Sequence, residues 1–167
     1  MGSRRVLDWL SANAPDLRMI EVEESTATVN EAAAALGVEA ARIAKSLTVR
    51  VGAETFLLVT RGDARLDNAK CKAELGGRPR MLGAEETLAL TGHPVGGVCP
   101  FGLATEIPVY VDQSLQAFDI VYPAGGTLQS SVEVTPERLF DLVGTRWVDL
   151  CRLPDEARGV EDSGVDS

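Results

Sequence analysis

The segment that most constrains the fold is residues 92–102, GHPVGGVCPFG, which holds four glycines and two prolines in eleven residues. Glycine permits a positive φ and lets another group approach the backbone closely, whereas proline fixes its own φ and restricts the residue before it. This composition predicts a loop of defined shape. Two interpretations stay open: a tight connection between a helix and a strand, or a loop whose main-chain groups face a ligand.

The length of the chain predicts one main domain. With 167 residues and no low-complexity linker, the chain falls within the range of about 100–200 residues that is common for one domain. We place this domain at residues 1–153 and predict that the acidic tail, residues 154–167, is disordered. Because aromatic residues make up only 5% of the sequence, the core should consist mainly of Ala, Val, Leu and Ile.

Composition also excludes several classes of protein. No apolar run approaches the roughly 20 residues that a membrane helix requires, and Asp8 interrupts the apolar stretch near the amino terminus. We therefore predict a cytoplasmic protein without membrane contact. Three cysteines without paired spacing and a single histidine argue against a disulfide framework and against a metal site. We predict no cofactor.

The net charge of −9 argues against nucleic-acid binding only until it is divided along the chain. The tail carries −4, whereas residues 61–80 carry six cations against three anions, a local charge of +3. This basic segment predicts a face that can bind phosphates, and a solvated helix surface is the alternative. The cations of this face are Arg61, Arg65, Lys70, Lys72, Arg78 and Arg80.

Hydrophobic periodicity and capping signals predict an α+β, mixed α/β domain. Thr28 and Glu31 form a capping-box pattern before an alanine-rich helix. The predicted helices cover residues 4–13, 29–36, 39–44, 67–75, 84–90 and 137–143. The predicted strands cover residues 19–22, 46–51, 55–60, 107–111, 120–122, 128–134 and 146–150, with a hairpin between the second and the third.

Lys45 is predicted to stand where the helix over 39–44 passes into the strand over 46–51. Its neighbours Ile43, Ala44 and Leu47 are apolar, so its ammonium is expected to emerge partly desolvated. Such a cation can orient a carbonyl or hold a phosphate. A surface lysine that covers apolar side chains is the alternative.

The usual catalytic groups are difficult to assemble from this sequence. Cys99 would need a base, and His93, six residues away, is the only histidine. Ser130 and Ser131 lack a triad signature, and no phosphate-binding P-loop motif occurs. What remains is chemistry by positioning of a reactive substrate among backbone donors and one cation, which suits ester hydrolysis.

Three motifs together resemble the YbaK/ProX family, which comprises freestanding relatives of the editing insertion in bacterial prolyl-tRNA synthetases. They are AKSL at residues 44–47, TGHPVGGVCPFG at 91–102 and YPAGG at 122–126. The resemblance covers roughly residues 25–150. It implies a single domain with a curved, partly barrel-like mixed sheet flanked by helices. The implied activity is hydrolysis of the ester that joins a wrong amino acid to tRNA.

The resemblance also implies the residues of the site. Lys45 matches the family lysine and, with Gly97, is expected to be catalytic. The loop over 96–100 matches the G-x-x-x-P motif, whose amides would hold the aminoacyl carbonyl or the terminal ribose, while water or a substrate hydroxyl attacks. The expected substrate-binding residues, in a pocket between Lys45, this loop and the turn at 125–126, are His93, Gly96, Val98, Cys99, Pro100, Gly125, Gly126 and Ser130.

The substrate that the resemblance implies is a misacylated tRNA, of which only the acceptor end enters the pocket. The basic face over residues 61–80 is then expected to bind the phosphates of this tRNA, and DNA is not an expected partner. The residues at 94, 95 and 99 resemble the ProX branch, which favours alanine on tRNA(Pro), with cysteine next. Prolyl-tRNA synthetase is the expected protein partner. A non-catalytic module of the same fold that binds tRNA or a synthetase is the alternative.

Overall fold

The computed structural model describes residues 2–154, so the predicted tail, apart from Pro154, lies outside the described residues. The helices are Gly2–Asn13 (α1), Val29–Leu36 (α2), Asn68–Leu75 (α3), Ala84–Thr91 (α4) and Pro136–Val143 (α5), with 3₁₀ turns at Ala40–Arg42 and Gln113–Ala117. The strands are Met19–Glu21 (β1), Ile43–Val51 (β2), Glu54–Arg61 (β3), Arg65–Leu66 (β4), Arg80–Met81 (β5), Val109–Asp112 (β6), Tyr122–Pro123 (β7), Ser130–Val132 (β8), Arg146–Val148 (β9) and Cys151–Arg152 (β10). No helix within this range is long and apolar enough to span a membrane.

The central sheet is mixed, which confirms the predicted α+β class. Its order is β5-β2-β3-β6-β9, with β7 as a second neighbour of β2. β2 and β3 form the predicted antiparallel hairpin, whereas β6 runs parallel to β3 and β9 runs parallel to β6. Two small antiparallel ribbons, β1–β8 and β4–β10, pack around this sheet.

The outer edge of β2 is interrupted in the middle. β7 pairs with residues 43–44 and β5 pairs with residues 49–50. Residues 45–48, between these two short partners, have no strand neighbour on this edge among the described residues. A gap therefore opens along the edge of the longest strand in the domain.

The hydrogen-bond pattern determines which main-chain groups face this gap. In an antiparallel hairpin, alternate residues direct both their N–H and their C=O toward the partner strand. The carbonyl of Thr48 points outward, since it accepts a hydrogen bond of 3.1 Å from the amide of Leu82. Ser46 has the same parity, so its N–H and C=O also face the gap, while Lys45 and Leu47 pair with β3.

The β2–β3 hairpin packs apolar side chains on both faces because successive side chains of a strand alternate. One face carries Ala44, Leu57 and Val59 against α1, α5 and the glycine-proline loop. The other carries Val49, Phe56 and Leu58 against α3 and the ribbon β4–β10.

Two sequence predictions near the hairpin are wrong in detail. The helix expected over 39–44 is a single 3₁₀ turn, Ala40–Arg42, and β2 already begins at Ile43 because it pairs there with β7. Lys45 consequently lies inside the strand rather than at its entrance. The two-residue strands β4, β5 and β10 carry too little pattern to have been predicted.

The predicted cap of α2 is confirmed at one of its two hydrogen bonds. The Thr28 hydroxyl accepts from the amide of Glu31 at 3.1 Å, and Gly37 ends the helix with a φ of +71°. The carboxylate of Glu31, however, accepts from the hydroxyl of Ser25 at 2.8 Å rather than from the cap residue's own amide. These contacts order residues 25–28, which form one wall of the cavity described next.

Candidate active site

A cavity of about 340 Å³ lies against the interrupted edge of β2. This volume is within the range of about 300–1,000 Å³ that is usual for ligand pockets. Residues 26–29, the edge of β2, β5, α4 and the glycine-proline loop contribute to its walls. The lining residues are Thr26, Ala27, Thr28, Val29, Ala32, Ile43, Ala44, Lys45, Ser46, Leu47, Thr48, Met81, Leu82, Thr87, Val95, Gly96, Val98, Tyr122, Ala124 and Ser131.

Gly96 and Val98, two of the residues predicted to bind the substrate, line the loop side of the cavity. Gly96 has a φ of +98°, which L side chains rarely adopt. A Cβ at this position would lie 2.7 Å from Cδ2 of Leu128 and 3.2 Å from Cβ of Ala27. The absence of a side chain thus lets the loop approach the segment that carries Ala27.

Gly97, predicted to be catalytic, does not line the cavity in the described structure. Its amide donates a hydrogen bond of 2.8 Å to the carbonyl of Pro94 and so closes a turn within the loop. A Cβ here would lie 2.8 Å from the carbonyl oxygen of Thr127. In this conformation Gly97 packs the loop against its neighbour, and its amide is already bonded.

His93, Cys99 and Pro100 are buried behind the loop and not in the cavity wall. The ring Nε2–H of His93 donates to the carbonyl of Phe101 at 2.8 Å, and the Cys99 sulfur lies 3.8 Å from Nε2. Burial lowers the pKa of His93 and raises the pKa of the Cys99 thiol to about 12. A protonated thiol without solvent access is a poor nucleophile, so these residues support the loop.

Gly125, Gly126 and Ser130, which were predicted to bind the substrate, lie behind the cavity wall and do not line it. The amide of Gly125 donates to the carbonyl of Ser130 at 3.0 Å, and the Ser130 hydroxyl bonds to that of Thr127 at 2.7 Å. Their neighbours Ala124 and Ser131, which form an isolated β-bridge, line the cavity instead. The turn shapes this wall from behind.

Lys45 contributes to the cavity wall, but its ammonium is directed elsewhere. Nζ donates a hydrogen bond of 2.5 Å to the carbonyl of Ala64, in the turn after β3. By strand alternation the side chain leaves β2 on the face opposite Ala44, whereas the loop residue Val98 packs on the face of Ala44. The structure therefore does not bring the ammonium to the loop. Burial lowers the pKa of Lys45.

Hydroxyl side chains in the cavity wall were missed by the sequence analysis. Thr48 of β2 and Thr87 of α4 share a hydrogen bond of 2.6 Å. Thr26 and Ser46 also line the cavity, although their hydroxyl oxygens are shielded from solvent. The polar residues at alternate positions of β2, namely Ser46, Thr48 and Arg50, were a usable signal. Thr26 gave none, because it precedes a helix in a segment without periodicity.

The predicted basic segment divides into cations with internal partners and cations at the surface. Arg61 makes two hydrogen bonds to Asp63, of 2.9 and 2.7 Å. Lys70 contacts Asp149 at 3.1 Å and the carbonyl of Cys151 at 2.7 Å. The exposed cations of the segment are Arg65, Lys72, Arg78 and Arg80.

Arg78 and Arg80 line an open cleft together with Arg50, which the sequence analysis had not considered. Arg80 stands opposite Arg50 in the β5–β2 pairing, and Glu86 contacts Arg50 at 2.8 Å. The next residue after Arg80, Met81, lines the cavity. The basic cleft and the cavity therefore lie on the two sides of β5.

No group of three or more potential metal ligands stands together within residues 2–154. The described cavity offers instead main-chain groups at a strand edge, several neutral hydroxyls and an apolar remainder. Such an arrangement can position a polar, uncharged reacting group and exclude water from most of its surface.

Comparisons with known proteins agree with the fold. The model of the aminoacyl-tRNA editing domain family matches residues 23–142, so the chain belongs to the aminoacyl-tRNA editing domain family. A crystal structure provisionally described as a trans-editing enzyme for prolyl tRNA synthetase superposes with a TM-score of 0.83 at 36% identity, covering 90% of this chain and 97% of the other. The predictions of family, fold and enzyme class are thereby confirmed.

Two relatives differ in how much of their length this chain covers. It is 46% identical to YwhH of Bacillus subtilis over 134 residues, which are 79% of this chain and 85% of that protein. It is 35% identical to the proline–tRNA ligase of Shouchella clausii over 125 residues, which are 74% of this chain. The match spans only 22% of that ligase, so it concerns one part of a much longer protein.

Proposed function

We propose that this chain is a trans-editing hydrolase that cleaves the ester between tRNA and a small, wrong amino acid. The observation that carries the proposal is the cavity at the interrupted edge of β2, where the main chain of Ser46 and the loop residue Gly96 face the same space. Family membership gives this cavity its substrate class, an aminoacyl-tRNA. The sequence motifs favour tRNA(Pro), with alanine as the first expected amino acid and cysteine as the next.

In the proposed reaction, water or a ribose hydroxyl of the substrate attacks the ester carbonyl carbon. The bond from this carbon to the original ribose oxygen breaks, and this oxygen takes up the proton of the attacking group. Attack by water gives free amino acid and tRNA directly, whereas attack by the ribose hydroxyl gives a new ester, which water then cleaves to the same products. The outward N–H of Ser46 is suited to stabilise negative charge on the carbonyl oxygen. The described cavity wall contains no activated side-chain nucleophile, which is consistent with attack by water or substrate.

We propose that Lys45 enters the reaction by exchanging partners. Its ammonium donates to the carbonyl of Ala64, and a substrate carbonyl or phosphate would be an equivalent or stronger acceptor. Burial lowers its pKa, so the desolvated charge gains from a closer anion. Rotation of a long, unbranched side chain is sufficient for this exchange.

The basic cleft is suited to hold the phosphates of the acceptor end. Arg50 and Arg80 face each other across two paired strands, and like charges in this position repel unless an anion lies between them. Glu86 supplies one carboxylate, and Arg78 adds a third guanidinium. A bound phosphodiester would neutralise the excess positive charge of these three guanidinium groups. Its binding site would be one residue along β5 from the cavity wall.

The hydrogen bond from Lys45 to Ala64 favours a second candidate, a module that binds tRNA without cleaving it. If the ammonium remained on this carbonyl, the cavity would lack its cation. The two functions share tRNA binding and differ in turnover, so turnover is the quantity to measure.

The test measures the release of labelled amino acid from tRNA(Pro) that has been esterified with Ala, Cys, Ser, Thr or Pro. The hydrolase should accelerate loss of at least one wrong amino acid well above the rate without protein and spare Pro. Saturable tRNA binding without accelerated release from any ester would identify the binding module and refute the hydrolase.

A further inference from the structure

The basic cleft beside the cavity contains three arginines, of which only one has a carboxylate partner. Arg78 and Arg80 are exposed and form no ion pair within the part of the chain that the structure describes. Arg50 donates a hydrogen bond of 2.8 Å from Nη2 to Oε2 of Glu86. The protein thus balances this excess of positive charge with a single internal carboxylate.

The guanidinium of Arg50 is also held from its other end. Its Nε donates a hydrogen bond of 2.8 Å to Oγ1 of Thr55, the residue that stands opposite Arg50 in the β2–β3 hairpin. The Arg50 side chain is 28% exposed, whereas that of Glu86 is 46% exposed. The hydroxyl of Thr55 therefore keeps the guanidinium oriented toward an anion whether or not Glu86 is in place.

The contact between Arg50 and Glu86 is of a kind that a phosphate can replace. It is one hydrogen bond to a half-exposed carboxylate, and water and salt screen such a pair strongly. A phosphodiester offers two charged oxygens, which can bond to one guanidinium in a bidentate manner or bridge two of them. Because Arg80 faces Arg50 across β5 and β2, one phosphate can contact both arginines.

Glu86 has a second position available when it leaves Arg50. It is the third residue of α4, which begins at Ala84. A glutamate at this position can accept a hydrogen bond from the amide of the residue that precedes the helix. That residue is Gly83, which provides no side-chain cap. The positive end of the helix also stabilises a carboxylate in its first turn, so the release of Glu86 is offset within its own helix.

We propose that Glu86 is an internal substitute for a substrate phosphate. It holds Arg50 in the free protein and moves to the amide of Gly83 when a phosphodiester binds to Arg50 and Arg80. This inference rests on the proposed function, in which the cleft holds the acceptor end. The ligand is a phosphodiester close to the terminal ribose, because Met81, the residue after Arg80, lines the cavity that would receive the aminoacyl ester.

The exchange makes the cleft selective among anions. An anion that contacts Arg50 alone gains little more than the contact with Glu86 that it replaces. A phosphodiester that also contacts Arg80 or Arg78 gains further charge-assisted hydrogen bonds. The cleft therefore favours a nucleic-acid strand over a small anion such as chloride, and Glu86 lowers the affinity for every phosphate ligand, including the deacylated product.

The experiment measures binding of an RNA hairpin that reproduces the acceptor stem with its CCA end and carries no amino acid. Glu86→Gln removes the competing charge but retains a side chain that can cap α4, and it should tighten binding about two- to fivefold. Glu85→Gln is the matched control, since it makes the same charge change one residue earlier in the same exposed turn, and it should have a smaller effect.

A double-mutant cycle tests whether Glu86 acts through Arg50. Arg50→Gln should weaken hairpin binding, and it should do so more strongly when Glu86→Gln is also present, because the competitor then no longer offsets the contribution of the arginine. Equal effects of Glu86→Gln and Glu85→Gln, or hairpin binding that Arg50→Gln leaves unchanged, would overturn the inference.

Amide hydrogen exchange at Gly83 tests the movement of the carboxylate. The hairpin should slow this exchange in the natural chain and should not slow it in Glu86→Ala, which has no side-chain acceptor. Equal slowing in both chains would refute the movement.

The hairpin assay also separates failure of this inference from failure of the proposed function. Tighter binding by Glu86→Gln, without cleavage of any aminoacyl ester by the natural chain, would support the inference and refute the hydrolase. Cleavage of an ester by a chain whose hairpin affinity does not respond to Glu86→Gln would support the hydrolase and refute the inference.

Discussion

The ammonium of Lys45 donates a hydrogen bond of 2.5 Å to the main-chain carbonyl of Ala64, which lies in the turn after β3. The bond holds the cation on the face of the sheet opposite the glycine-proline loop, although Lys45 itself lines the cavity. If Lys45 takes part in catalysis as proposed, the carbonyl of Ala64 is the hydrogen-bond partner of its ammonium before substrate binds. Turnover would then include the exchange of this partner for the substrate.

Lys45→Ala should lower kcat for deacylation by about 10²–10³, because removal of an aligned donor or cation has an effect of this order. Cys99→Ala, which removes a buried thiol behind the loop, should lower kcat less than about tenfold. Single-turnover assays on the two variants measure the difference. A Lys45→Ala variant with normal kcat and a reduced free energy of unfolding would show that the lysine only ties β2 to the turn.

Gly96→Ala should impair activity more than its effect on stability predicts. Gly96 and Gly37 both have positive φ, +98° and +71°, so alanine at either should cost about 1 kcal/mol or more of unfolding free energy. Only at Gly96 would the new Cβ also meet Leu128, at 2.7 Å. Urea denaturation and kcat/KM for both variants provide the test, with Gly37→Ala as the matched control. Equal activity losses would remove Gly96 from the site.

Arg78→Gln together with Arg80→Gln should weaken tRNA binding and reduce its dependence on salt. Each phosphate contact that is lost should make the slope of log K against log salt shallower by about 0.7–0.9. Arg61→Gln is the control, since Arg61 already bonds to Asp63 and should affect stability more than binding. Filter binding at several salt concentrations measures the slopes. A larger effect of Arg61→Gln on affinity would place the tRNA on another surface.

The Cys99 thiol should make stability fall at high pH. Burial raises its pKa from the ordinary value of 9.0 to about 12, so the folded state retains a proton that the unfolded state loses. Its stabilising contribution is complete below pH 9 and declines as the pH rises from 9 toward 12. The unfolding free energy of the natural chain minus that of Cys99→Ala should therefore decrease between pH 8 and pH 10. A difference independent of pH would contradict this linkage.

Local signals in the sequence were sufficient for the features that depend on neighbouring residues. The Thr28 cap, the β2–β3 hairpin and the loop over 92–102 follow from residues within a few positions of one another. The interrupted edge of β2 was not predictable, because β7 and β5, which frame it, have two residues each and reach β2 through long-range pairing.

Charge and motif arguments do not reveal hydrogen-bond and ion-pair partners that are distant in sequence. The basic segment counted Lys70 as a surface cation, but its partner Asp149 follows 79 residues later. The motif predicted a role for Lys45, which lies in the cavity wall, yet no local pattern reveals that its ammonium reaches Ala64. The cavity-lining role of Thr26 likewise depends on contacts that only the folded chain creates.

The short interruption in the edge of β2 gives adjacent amides different accessibility to exchange with deuterium. Lys45 and Leu47 have their N–H groups bonded to β3, whereas that of Ser46 faces the gap. In the free protein the amide of Ser46 should exchange much faster than the amides on either side of it, even though all three belong to one central strand. Occupation of the cavity would slow exchange at this single amide, so a local measurement would report ligand binding without any change in the rest of the sheet.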